Sequence, residues 1–275
     1  ELQENNNYSK LDIIIDKIKF ENIFVVLSIL FIFGCCVYYG NRLVKYYRVF
    51  NPKTETGEKV VLFSAIVRQN NPVITEGDGL YIHNGDFIFK GESVNNYVMY
   101  ADKKWRIMEV TRSGLVKMVL DDSLGNIVYD NENVTSEELT YDKSYIHNYI
   151  KDENNLKLNP NGLEPMEICL DLVDESNNLT CENKTIDYVY LLGISDYAES
   201  INTTTNKSYI NNLDNIWLNN KNSEGFAWTL SKGMLTQDAL HFEYAVKPVI
   251  TLKSTAYNST GDGTENNPYI VKDGE

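Results

Sequence analysis

Residues 96–120 read NYVMYADKKWRIMEVTRSGLVKMVL, and this stretch decides the class of fold. Three runs rich in β-branched and aromatic residues, 96–100, 105–110 and 115–120, are separated by the polar tetrapeptides ADKK and TRSG. Short runs of strand formers bounded by turn residues predict a three-stranded meander. Side chains alternate faces along a strand. In the middle run Trp105 and Ile107 therefore share one face, and Met108 and Val110 the other. Apolar residues on both faces predict burial on both sides.

The pattern extends outward. Upstream, 80–89 reads LYIHNGDFIF, and Asn84-Gly85 between strand formers is a strong hairpin signal, because a tight hairpin turn needs positive φ at its centre. Downstream, Tyr145, Ile146, Tyr149 and Ile150 recur at helical spacing within 141–151. Residues 188–192 read as a buried strand, and the Ser195 hydroxyl is placed to cap a short helix DYAES. Residues 211–222 read as a second short helix carrying Trp217. Strands are expected at 226–230, 240–244 and 246–252. Pro248 removes a ladder donor, so the last of these is expected at an edge or a bulge. The closing GDGTENNPYIV is a turn and a terminal strand. The fold class is α+β and β-rich.

A different physics governs the run from Ile23 to Gly40, IFVVLSILFIFGCCVYYG. Its 18 residues carry no charge, and as a helix they span ~27 Å, close to the hydrocarbon thickness of a bilayer. A buried helix of a globular protein would keep a polar stripe, and none is present. Tyr38, Tyr39, Tyr46 and Tyr47 suit a headgroup-level aromatic belt. The sequence thus divides into a short cytoplasmic or interfacial amphipathic segment (1–22), a transmembrane helix (23–40), a juxtamembrane stalk (41–59) and a β-rich domain (60–275). In the first, Leu11, Ile14, Ile15 and Ile18 share a helical face, as in an interfacial helix. Lys10, Lys17 and Lys19 precede the span, and Arg42, Lys45, Arg48 and Lys53 follow it. That balance slightly favours the large domain inside, but long domains translocate largely regardless of flanking charge. Ile32-Phe33-Gly34-Cys35 partly resembles a lipoprotein signal; Phe33 and the apolar sequence after Cys35 fit an uncleaved span better.

Of the 275 residues, 39 are acidic and 25 basic, for a net charge of −14. The excess belongs to residues 60–275, with 32 acidic and 17 basic groups. Binding a phosphate backbone needs clustered Lys and Arg, so no nucleic-acid partner is expected. The 33 Asn carry no functional weight.

The segments NYVMYADKKWRIMEV, LLGISDYAES, WTLS, YAVKPVITLK and GDGTENNPYIV occur in this order. Together they resemble a family of uncharacterised, often membrane-anchored surface domains of low-G+C Gram-positive bacteria, over about residues 78–271. The resemblance implies a fold akin to the C-type-lectin-like fold of formylglycine-generating enzymes and phage receptor-binding proteins. Lys247 stands where the family commonly has Arg, and Gly193-Ile194 where it often has Ser-Ala.

Catalytic signatures are absent. His83, His147 and His241 have no companions at metal-ligand spacing. The acidic groups Asp121-Asp122 and Asp171/Asp174/Glu175 follow no calcium-loop pattern. Gly193 to Tyr197 lacks the second glycine of a nucleophile elbow. No cofactor, metal or catalytic residue is assigned. Cys169 and Cys181 are the only cysteines outside the apolar run, and such a pair around a polar loop suits a disulfide in an oxidising compartment. The competing reading is a reactive pair of formylglycine-generating oxidase type; Asp171, Asp174, Glu175 and Glu182 oppose the thiolate it needs. Trp217, Trp228, Phe242 and Tyr244 are candidates for ligand-facing aromatics, with core packing as the alternative. The expectation is a single-pass cell-membrane protein whose C-terminal extracellular domain binds a protein or glycan ligand or builds an envelope assembly. A sensor acting through a partner helix is the third reading.

Overall fold

The computed structural model describes residues 25, 27–40, 60–130, 139–173 and 181–274. The expected segments 1–22 and 41–59, apart from their neighbours, lie outside the described residues, as do Asp174 and Glu175. The chain divides into two units, Glu1–Asn51 and Pro52–Glu275. In the first, residues 27–40 form a helix, α1. Among the described residues no helix is long and apolar enough to cross a membrane. The described part of the apolar run is helical. Leu27, Ile29, Leu30, Phe31, Ile32 and Phe33 are all exposed on α1.

The second unit runs β1 (Val61–Leu62), α2 (Phe63–Asn70), β2 (Gly79–His83), β3 (Asp86–Lys90), β4 (Tyr97–Tyr100), β5 (Lys103–Val110), β6 (Val116–Leu120) and β7 (Asn126–Val128). It continues with α3 (Tyr145–Lys151), β8 (Met166–Cys169), β9 (Lys184–Asp187), β10 (Val189–Leu191), α4 (Ile194–Ser200) and β11 (Asn215–Lys221). The remainder is β12 (Ala227–Ser231), β13 (Met234–Asp238), β14 (Glu243–Ala245), β15 (Pro248–Leu252), β16 (Tyr257–Thr260) and β17 (Tyr269–Lys272). The unit is α+β and β-rich.

The meander forms as expected. β4, β5 and β6 pair antiparallel in sequence order, with Trp105 opposite Val98 on one side and Leu120 on the other. They are the middle of a ten-stranded sheet ordered β1-β16-β17-β4-β5-β6-β15-β10, with the β2–β3 hairpin joined to β5. Trp105, Ile107, Met108 and Val110 are all buried, so both faces of β5 are covered. The β2–β3 turn is Asn84-Gly85, with φ of 52° and 89°. Positive φ at both central residues gives this turn a twist that matches its strands. A second sheet is ordered β13-β12-β11-β14-β7, and β8–β9 form a separate two-stranded ribbon.

Three expectations are corrected. Residues 211–222 are not a helix: β11 occupies the centre of the second sheet, paired to β12 and β14. Pro248 is not on an edge strand, since β15 lies between β6 and β10; proline is accommodated as the first residue of the strand. Ser195 does not cap α4. The helix begins after Gly193, and the Asp196 carboxylate accepts from the Gly193 amide at 3.0 Å, the reach-back half of a capping box.

Candidate functional site

The β8–β9 ribbon is closed by the Cys169–Cys181 disulfide, whose Cα atoms are 5.4 Å apart. That separation is ordinary for a disulfide. Asp171 braces the same loop. Its carboxylate accepts from the amides of Glu182 (2.6 Å) and Asn183 (2.9 Å), and these bonds hold it below the usual carboxylate range.

Beside the bridge lies a pocket of about 300 Å³. From the β8–β9 ribbon and its bridge, Met166, Glu167, Ile168, Lys184 and the two cysteines line it. The rest of the lining comes from other elements: Lys117 of β6, Tyr190 of β10 with Gly193 and Asp196 after it, and Asn219 and Asn220 of β11. Lys117 forms a tight ion pair with Asp196. Both side chains are largely enclosed, at 15% and 9% exposure. Burial alone would favour the neutral amine, but the Asp196 and Tyr190 oxygens beside it override that and hold Lys117 well above the usual lysine range. Burial pushes the neighbouring Tyr190 phenol up, with Lys117 opposing.

Asn220 Oδ1 accepts from the Ile194 amide at 2.8 Å, fixing the turn into α4. Asn219 is 7% exposed and its Oδ1 has no hydrogen-bond partner. Gly193 makes room for that carboxamide, because a Cβ there would lie 3.2 Å from Asn219 Oδ1 and 3.4 Å from Asp196 Oδ2. On the inner side of the ion pair, Lys117 and Asp196 also face Glu109 and Tyr209. Burial raises the Glu109 carboxyl, against the pull of Lys117.

The aromatic candidates fall elsewhere. Trp217 is fully buried, with its ring centroid 5.4 Å from Tyr129 and 4.8 Å from Tyr244. Tyr244 stacks on Phe242 at 6.0 Å. Trp217, Tyr244 and Phe242 thus run as one stack from the core to the surface, where Phe242 is exposed. Tyr244 also lines a pocket of about 360 Å³ with Asn126, Asp214 and Glu243. Trp228 stands apart, 8% exposed, its indole donating to Val173 O at 2.7 Å. Trp217 and Trp228 therefore face the core and not a ligand, because their large apolar rings are enclosed by the sheets. Phe242 and Tyr244 reach the surface.

His147 is buried, with Nε2 2.9 Å from Asp187 Oδ2, and Lys151 pairs with the other oxygen of the same carboxylate. No group of three or more His, Cys, Asp or Glu suited to a metal occurs among the described residues. The pocket wall itself was not visible in the sequence. Lys117 and Asp196 are separated by 79 residues, and Asn219-Asn220 reads as one more asparagine pair among many. No family model, curated protein or solved structure matches the chain.

Proposed function

We propose that this chain is a membrane-anchored, extracellular binding domain of C-type-lectin-like type, which takes its ligand in the pocket beside the Cys169–Cys181 bridge. The observation that carries the reading is the disulfide bracing the rim of a polar pocket. Disulfides persist in oxidising compartments and are rare where thiols are kept reduced. Pockets with a few convergent polar groups on an apolar wall are the usual form of a small-ligand site. The exposed apolar surface of α1 supports anchoring through the 23–40 segment, since large exposed apolar patches mark contact with a membrane or a partner.

Thiol labelling of intact cells, followed by denaturation with and without reductant, tests this placement. Cys169 and Cys181 are expected to stay unreactive until reduced. Free labelling of both in the denatured, unreduced protein would remove the argument for an external domain. Carbonate washing of membranes tests the anchor separately: the intact chain should stay in the pellet, and release by salt alone would exclude insertion.

A further inference from the structure

The second sheet ends on one side at β13, whose outer edge takes no further strand among the described residues. No loop among them hydrogen-bonds to its main chain either. An edge strand keeps a row of unpaired amides and carbonyls, and natural proteins shorten, charge, bulge or cover such edges. Other edges of this fold are managed in those ways. β1 has two residues, and β7 and β10 have three each. The Leu191 amide of β10 is taken by the Tyr141 hydroxyl at 2.7 Å. Leu80 of β2 bridges to Val73 and accepts from the Ile74 amide. The β8–β9 ribbon carries the Lys184–Glu167 ion pair on its surface. β13 is longer and barer. It pairs with β12 over five consecutive residues without a register shift. Its sequence, MLTQD, holds no Lys or Pro, and its one charge, Asp238, is turned onto Thr229 at 3.2 Å. Met234 and Leu235 point to opposite faces and are exposed, at 65% and 39%. From this edge we propose that two copies of the chain pair through β13, antiparallel about a two-fold axis at Thr236, which joins two five-stranded sheets into one.

Any strand can hydrogen-bond to an open edge; the side chains single out the chain's own. A two-fold contact brings the same patch of both copies together, so the patch must complement itself. With Thr236 opposite itself, all five residues of each β13 are paired. Met234 then lies opposite Asp238 of the second copy, and Leu235 opposite its Gln237. No like charges stand directly opposite, an arrangement that would oppose pairing. Lys232, exposed in the turn before β13, stands diagonal to the same Asp238, within reach for a long side chain. An axis perpendicular to the sheet keeps Met234, Thr236 and Asp238 of both copies on one face, and Leu235 and Gln237 on the other. Five residues a side make a small interface, and each chain carries a net charge of −14, so the dimer is weak and concentration-dependent.

Sedimentation of the intact chain in detergent over a range of concentrations measures its mass, with Met234→Glu, Met234→Lys and Thr236→Cys as variants. Met234 is exposed, so its two variants should keep the wild-type melting temperature. The expected result is a dimer that Met234→Glu weakens tenfold or more, because it sets a carboxylate opposite Asp238 of the second copy. Met234→Lys should associate at least as tightly as wild type. Thr236→Cys, in a chain also carrying Cys35→Ser and Cys36→Ser, should give a covalent dimer with a mild oxidant, since directly opposite residues of an antiparallel pair are at disulfide distance. If Thr236→Cys does not fold, the two Met234 variants decide alone. Equal losses from Glu and Lys, or no covalent dimer from folded Thr236→Cys, would overturn the pairing. A dimer indifferent to every substitution would belong to another surface and would overturn it too. So would a monomer at every concentration. Slow deuterium exchange along β13 in that monomer would assign the edge to another segment of the chain, and fast exchange would leave it open.

Discussion

The Lys247 ammonium donates to the main-chain oxygen of Asp121 at 2.8 Å from a side chain with no solvent exposure. It also donates to Asn212 Oδ1 at 2.6 Å. The Asp121 carboxylate is 3.4 Å from the Arg106 guanidinium, which in turn lies 3.7 Å over the Tyr97 ring. Lys247 is therefore a buried amine with neutral oxygens as its direct partners and a second cation nearby. Burial, aided by Arg106 and opposed by Asp121 and Asp122, lowers its pKa to about 7.

A stability profile follows from that shift. An unfolded lysine titrates near ~10.4. Between pH 7 and that value the unfolded chain holds the proton and the folded one releases it, so stability rises with pH across this window. It is lost again as pH falls toward the folded value. The slope approaches ~1.4 kcal/mol per pH unit between about pH 8 and 9. Urea unfolding of wild type and Lys247→Met at several pH values should show this rise in wild type alone. Parallel profiles would mean that Lys247 keeps its proton in the fold.

Trp105 is the centre of the larger sheet. It has no exposure, and its indole donates to Tyr100 O at 3.0 Å. Replacing it by Ala removes a whole ring from between β4 and β6, where partial relaxation leaves a cavity. Trp105→Ala should cost ~3–5 kcal/mol and a large drop in denaturation midpoint. A loss below ~1 kcal/mol would place the ring at the surface instead.

The meander was legible because its signals are local: alternating apolar residues, short polar turns and an Asn-Gly hairpin. The cysteine pairing was legible by elimination, with two cysteines outside an apolar run. β11 was not. Asn215, Asn219 and Asn220 are poor strand formers, and of the three Asn220 has a distant partner for its side chain, the Ile194 amide at the turn into α4. Pro248 misled for a related reason. Its missing donor costs nothing at the first position of β15, so an interior strand can begin with it. Lys117 and Asp196 carry no mutual signal in sequence at all, since the fold alone brings β6 beneath α4.

The disulfide should be worth stability as well as location. Closing a loop with a sequence separation of 12 restricts the unfolded chain by ~3 kcal/mol in the chain-entropy model. Reductant should lower the urea midpoint of wild type accordingly. The double change Cys169→Ala and Cys181→Ala should match reduced wild type and be indifferent to reductant. A wild type equally stable with and without reductant would show that the ribbon and its Asp171 contacts hold the loop unaided.

The Lys117–Asp196 pair makes the sharpest energetic claim. Each charge is enclosed and relies on the other, and Asp196 also receives the Gly193 amide that starts α4. Removing one partner strands the other in a poorly solvated site, which typically costs ~3–5 kcal/mol. Lys117→Met should therefore be strongly destabilising although it keeps the apolar length of the side chain. Asp196→Asn retains an oxygen for Gly193 but strands the ammonium. Combining the two leaves no buried charge, and a neutral amide can still accept from Gly193. The double variant should thus be more stable than the sum of the single losses predicts, with a coupling energy of at least ~1 kcal/mol in a double-mutant cycle. Urea denaturation of the four proteins at neutral pH measures it. Additive losses would mean that the two charges are solvated independently, and that the floor of the pocket is more open than the enclosure of these side chains indicates.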